Sequence, residues 1–183
     1  PTYQLVAVNT GGSSIPVTAS VNWTATPLPP PGLCAQEPGL LFSDVGSEHE
    51  TVHSAYSESP GFAWNAAWVV RFTVPATAHE GQTGFGTAAE YDGPPTFREL
   101  TISATACDFR AADPSGVNGP IAHAYGTTPI IYFGIRAPAP GSLGLAPGGV
   151  YYLNIRNRYV DGTESCPATQ ARCDALAAVR LPR

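Results

Sequence analysis

The stretch Val17-Thr18-Ala19-Ser20-Val21-Asn22-Trp23-Thr24-Ala25 alternates without a break: every odd position is apolar and every even one is Thr, Ser or Asn. Successive side chains of a strand point to opposite faces, so the pattern reads as a strand with one face on a core and the other in water. Tyr3 to Asn9 is its expected partner, joined through the turn residues Gly11-Gly12-Ser13-Ser14. The same period recurs further on. Trp68, Val70, Phe72 and Val74 form one inward set; Leu100, Ile102 and Ala104 another; then Ile131, Phe133 and Ile135; then Tyr151, Leu153 and Ile155; Val179 to Leu181 reads as a short final strand. Turn clusters separate these runs, among them Asp113-Pro114-Ser115-Gly116 and Ala146-Pro147-Gly148-Gly149. The expectation is an all-β, antiparallel β-sandwich, Ig-like or jelly-roll-like, of roughly seven to nine strands.

Composition agrees. Of 183 residues, 19 are Gly and 19 are Pro, a load that interrupts helices, while 43% apolar content supplies a core. Residues 1–31 read as a β-hairpin followed by the Pro-rich hinge Leu28-Pro29-Pro30-Pro31-Gly32, and 32–183 as the sandwich body. About thirty residues cannot stand alone as a domain, so the hairpin is expected to dock on the body or to add to a neighbour's sheet, giving a homo-oligomer by strand addition.

Charge excludes some functions. All nine cations are Arg, against fourteen carboxylates, for a net charge of −5. A nucleic-acid binder needs a basic patch to displace counterions, and an anionic membrane surface asks for the same; neither partner is expected. No apolar run approaches the ~20 residues of a membrane span. The chain begins without Met, which reads as removal of an upstream segment, with a secreted, extracellular or cell-surface location.

Cys34, Cys107, Cys166 and Cys173 contain no C-x2-C pair, so two disulfides are expected rather than a zinc site. Four cysteines allow three connectivities; Cys166 and Cys173 flank a short loop and favour a local bridge, leaving Cys34 to pair with Cys107.

Thr101-Ile102-Ser103, then Cys107-Asp108-Phe109, then Leu145-Ala146-Pro147-Gly148-Gly149-Val150-Tyr151-Tyr152-Leu153-Asn154-Ile155-Arg156-Asn157 follow in an order that resembles uncharacterised modules of secreted proteins from GC-rich bacteria. Those modules carry an ISxxxxDF strand end, an LxPGxxYYLNIRN strand and a short Cys-flanked loop. The resemblance spans roughly residues 67–173 and implies an extracellular β-sandwich; it brings no activity. The modules tend to carry Pro-Gly before the Asp-Phe, where this chain has Ala106-Cys107. In the strand itself, Tyr151, Leu153 and Ile155 should face the core, with Tyr152, Asn154 and Arg156 on the other face and Arg156 and Arg158 pairing with nearby carboxylates or stacking on Tyr152.

One enzymatic motif occurs literally: His49-Glu50-Thr51-Val52-His53 is H-E-x-x-H. On a helix, His49 and His53 would share a face and hold zinc while Glu50 activates a water, the arrangement of a zinc-dependent hydrolase. The stretch is hydrophilic and reads as a polar loop; extended, the two histidines stand ~13 Å apart, too far for one metal. His79-Glu80 and His123 read as isolated in Gly/Ala-rich turns. Asp108 and Asp113 read as solvated turn acids rather than calcium ligands. Aromatic side chains near loops, Trp64, Tyr91 and Tyr125, are the candidates for stacking on a sugar ring. No cofactor is expected. The reading favoured by these features is a non-enzymatic extracellular structural or adhesive module, such as a subunit of a surface filament, whose partners are protein subunits or a surface glycan. A carbohydrate-binding module is the first alternative and the zinc hydrolase the second.

Overall fold

A computed structural model describes residues 2–5, 8–9, 12–13, 17–20, 31–37, 39–54, 66–89, 97–136, 144–157 and 175–183. The strands are β1 Thr2–Leu5, β2 Val8–Asn9, β3 Gly12–Ser13, β4 Val17–Ser20, β5 Leu40–Asp44, β6 Glu50–Ser54 and β7 Ala67–Thr73. They continue with β8 Thr83–Ala89, β9 Arg98–Ser103, β10 Ala122–Gly126, β11 Ile130–Ile135, β12 Gly144–Leu145, β13 Val150–Asn157 and β14 Leu176–Arg180. A single helical turn, α1 Pro31–Cys34, precedes β5.

Two five-stranded sheets make the body, in the orders β10-β9-β13-β7-β5 and β12-β11-β8-β14-β6. The expected sandwich is present, with more strands than expected and not wholly antiparallel. β5 runs parallel to β7, and β12 parallel to β11, so both sheets are mixed. Near the N-terminus β1 pairs with β4 and β2 with β3, each pair a two-stranded sheet of its own. Residues 21–30, which hold most of the Pro-rich hinge and the second half of the alternating stretch, lie outside the described residues.

The inward sets are those that alternation marks, except that Ala104 falls past the end of β9 and is exposed, because the strand stops at Ser103 and the chain turns there. Trp68, Val70 and Phe72 of β7, Leu100 and Ile102 of β9, and Leu153 and Ile155 of β13 meet Ile131, Phe133 and Ile135 of β11 and Ala177 and Val179 of β14 in one core. Phe72 stacks on Phe133 across it, ring centroids 6.0 Å apart. Trp68 spends its one donor inside this layer, to Ser43 Oγ at 3.1 Å, as a buried indole N–H must. Ala146-Pro147-Gly148-Gly149 closes a turn into β13, with Gly148 at φ 74° and Gly149 N–H donating to Ala146 O at 3.0 Å. Pro second and a left-handed Gly third is what a type II turn requires.

The outer face of the first sheet is covered too. Ala67 and Val69 of β7 are buried there beneath Cys34, Ala106 and Cys107, with Leu33, Phe42, Phe109 and Tyr152 packed around them. A Cys34–Cys107 disulfide, Cα atoms 5.0 Å apart, pins the α1 turn and the 104–110 loop over the strands. This is the long-range pairing expected from the sequence. It closes a loop of 73 residues, for which loss of unfolded-chain entropy is worth about 4 kcal/mol. Cys166 and Cys173 lie outside the described residues.

Candidate functional site

Trp64 and Tyr91 lie outside the described residues. The H-E-x-x-H stretch is neither the loop expected of it nor the helix a zincin needs. Glu50–Ser54 is strand β6, its Glu50 opposite Arg180 and its His53 opposite Ala177. The i, i+4 helical geometry that would bring two imidazoles to one zinc is therefore absent. His49 is tied into the same ladder: Leu181 N–H donates to His49 O at 2.7 Å, and His49 Nδ1 lies 2.6 Å from Leu181 O. A carbonyl only accepts, so Nδ1 carries the proton and Nε2 is the ring's remaining polar atom. Among the described residues, no group of three His, Cys, Asp or Glu side chains is placed to hold a metal.

Tyr125 and His123 stand on β10, not in a turn, and belong to a polar cluster on the covered face. Glu99, fully buried, is its centre. Arg156 Nε donates to Glu99 Oε2 at 2.6 Å, and His123 Nε2 lies 2.7 Å from Oε1. The Tyr125 ring packs at 4.4 Å from that of His123, and its hydroxyl reaches Glu99 Oε1 at 3.5 Å. The Arg156 guanidinium lies over the Phe109 ring at 4.2 Å and reaches toward Glu37 at 3.8 Å. Burial pushes the Glu37 carboxyl up, against the opposing pull of Arg156 and with a smaller push from Glu99. Next to this cluster, Asn154 accepts from Cys107 N–H at 2.8 Å and donates to Thr101 Oγ1 at 3.1 Å. Asp108, expected in solvent, is buried; burial pushes its carboxyl up, but hydrogen bonds from Arg110 and Ser103 outweigh that and hold it below the usual range. Asp113 is held low by Ser115 and Asn118, which cap its own turn. These groups knit β9, β10 and β13 to the segments pinned by the disulfide, and both Glu99 oxygens are occupied by donors from neighbouring strands.

The outer face of the second sheet is different. There β14, β8 and β11 align Arg180, Phe85 and Tyr132 in one row, because Arg180 is opposite Phe85 and Phe85 opposite Tyr132. Neighbouring strands are ~4.8 Å apart, so the three side chains are immediate neighbours. Phe85 and Tyr132 meet edge to face, centroids 6.1 Å apart, and Tyr132 is 67% exposed. An open groove of about 810 Å³ runs past this row between the 81–85 segment, His49 and the 180–183 segment. Gln82 braces its rim: its Oε1 accepts from His79 N–H at 2.7 Å and its Nε2 donates to Arg183 O at 2.6 Å. Sequence reading missed Tyr132, Phe85 and Arg180. The signal was available for Tyr132, which alternates outward between Ile131 and Phe133, an aromatic where a polar residue is the rule.

No family model and no curated protein sequence matches the chain. Among solved structures it is similar to the periplasmic inhibitor of g-type lysozyme from Aeromonas hydrophila, at 13% identity and TM-score 0.39 over 78% of this chain and 98% of that one. It is also similar to CorA, a surface-associated copper-binding protein of Methylomicrobium album BG8, at 12% identity and TM-score 0.36 over 79% of this chain and all of that one.

Proposed function

We propose that this chain is an extracytoplasmic, non-enzymatic binding module that takes a polysaccharide on the open face of its second sheet. The observation that carries the reading is Tyr132, an aromatic ring left two-thirds exposed on a rigid strand and braced at its edge by Phe85. A sugar ring offers a flat C–H face to such a surface, and a strand holds the aromatic ring in place without an ordering cost on binding. The Cys34–Cys107 disulfide supports an oxidising compartment. Among the described residues no helix is long and apolar enough to cross a membrane.

The test is affinity electrophoresis and calorimetry of the purified chain against a polysaccharide panel, with Tyr132→Ala beside it. Covering half of a tyrosine ring is worth about 2 kcal/mol, so Tyr132→Ala should weaken binding roughly thirtyfold with an unchanged circular dichroism spectrum. Absence of binding to every polymer, or a Tyr132→Ala variant that binds as well as the parent, overturns the reading.

Assembly through the N-terminal hairpin has one observation in its favour: β1 and β4 pair with each other and with no other strand among the described residues, which leaves an edge of each for strand addition. Deleting residues 1–31 should then abolish any oligomer seen by size-exclusion chromatography; an unchanged elution profile rules this route out.

A further inference from the structure

The outer face of the second sheet changes character across the Tyr132 row. On one side the next outward positions are Gly134 of β11, which has no side chain, and exposed Thr83 of β8 opposite it; Thr83 lines the groove. On the other side, about 7 Å along the strands, Ile130, Thr87 and Ala178 stand in register on β11, β8 and β14. Ile130 is 39% exposed, and Thr87 and Ala178 are partly so. The Thr87 hydroxyl donates to Pro129 O at 2.8 Å, so no side chain of these three has a free donor. Ala89 and Leu176, opposite each other one step further on, continue the apolar surface. Charge does not mark the Tyr132 row for one ligand sign, because Arg180 at its end stands opposite Glu50 of β6. Polarity does divide the face. A hydroxyl laid on the Ile130 side gives up water and finds no donor, whereas a methyl group gains by burial there.

Resting on the reading of this face as a polysaccharide site, we propose that its ligand is an acetylated glycan, with a sugar ring on Tyr132, the hydroxyl edge of that ring toward the groove, and the methyl of an N-acetyl or O-acetyl group on Ile130, Thr87 and Ala178. A sugar with hydroxyls on both edges suits only the groove side of the Tyr132 row. An acetyl group gives the opposite edge an apolar end, and one methyl taken from water there is worth about fourfold in affinity.

Calorimetry on the full chain compares two matched pairs. Chitohexaose and cellohexaose share a β-1,4 backbone and differ in the acetamido group; acetylated and deacetylated xylan differ in an ester-linked acetyl group. The acetylated member of at least one pair should bind about fourfold tighter or better. Ile130→Thr combined with Ala178→Ser, changes that a strand accommodates, should bring that ratio below about twofold, while Tyr132→Ala weakens both members of the pair. Should the double variant lose the parental circular dichroism spectrum, the ratio measured on the parent decides alone. Parity within both pairs, or a ratio that survives the double substitution in a folded variant, overturns the acetylated ligand and leaves a glycan site of other specificity. Failure of all four ligands while another polysaccharide binds does the same; absence of binding to every polysaccharide overturns the reading beneath it as well.

Discussion

Cys107 occupies a backbone conformation that its side chain does not favour. Its φ of 57° is the left-handed region, and it is the single non-glycine residue found there among those described. An L-residue pays about 1–2 kcal/mol for that conformation. The position is retained because Cys107 N–H donates to buried Asn154 and its sulfur is bonded to Cys34. Glycine is the residue for which this conformation is free. With Cys34→Ala removing the bridge from both, Cys107→Gly should therefore be more stable than Cys107→Ala by about 1 kcal/mol in urea unfolding. Equal midpoints would show that the conformation carries no cost. Side-chain partners are the least legible scale in the sequence. Alternation correctly sends Asn154 and Arg156 away from the main core, but that face looks like a water-facing one. What covers it arrives from residues 33–37 and 104–110, through a bond whose partners are 73 positions apart.

Strands were legible where their inward residues are large. β7, β9, β11 and β13 all show period two with Val, Ile, Leu, Phe or Trp inside, and all were located from the sequence. β8 shows the same burial alternation with Gly84, Gly86 and Ala88 as its inward set, so hydrophobic periodicity cannot reveal it. Its small residues leave room for large partners. A Cβ at Gly84 would lie 2.4 Å from Arg180 O and 2.5 Å from Phe133 Cζ; one at Gly86 would lie 2.7 Å from Leu153 Cδ1. The first obstacle includes backbone of the neighbouring strand, the second is the tip of a side chain that can rotate. Gly84→Ala should accordingly cost about 3 kcal/mol and Gly86→Ala about 1 kcal/mol, read from denaturant midpoints. A reversed order would mean that the β8–β14 pairing yields more easily than Leu153 does. β6 was missed for another reason: its residues are hydrophilic, and its strand conformation comes from pairing with β14 at the edge of a sheet.

At the scale of the molecule, chain order and spatial order disagree most at β14. This strand, Leu176–Arg180, was expected as a short terminal addition at 179–181, yet it sits inside the second sheet with β8 on one side and β6 on the other. It contributes Ala177 and Val179 to the core and Arg180 to the groove. A chain ending at residue 174 should fail to form the second sheet, and its amide spectrum should collapse to the narrow dispersion of an unfolded polypeptide. A dispersed, native-like spectrum would show instead that β6 and β8 can close without it. Non-local pairing of this kind also slows folding, because distant segments must meet before any of them is rewarded.

The central place of β14 has a consequence for biosynthesis. While the polypeptide emerges from a ribosome or threads through a membrane pore, β6 has no neighbour to zip against until residues 176–180 appear. β6 must stay unpaired throughout that interval, open to chaperones and proteases. Completion of the second layer thus waits for residues 176–180.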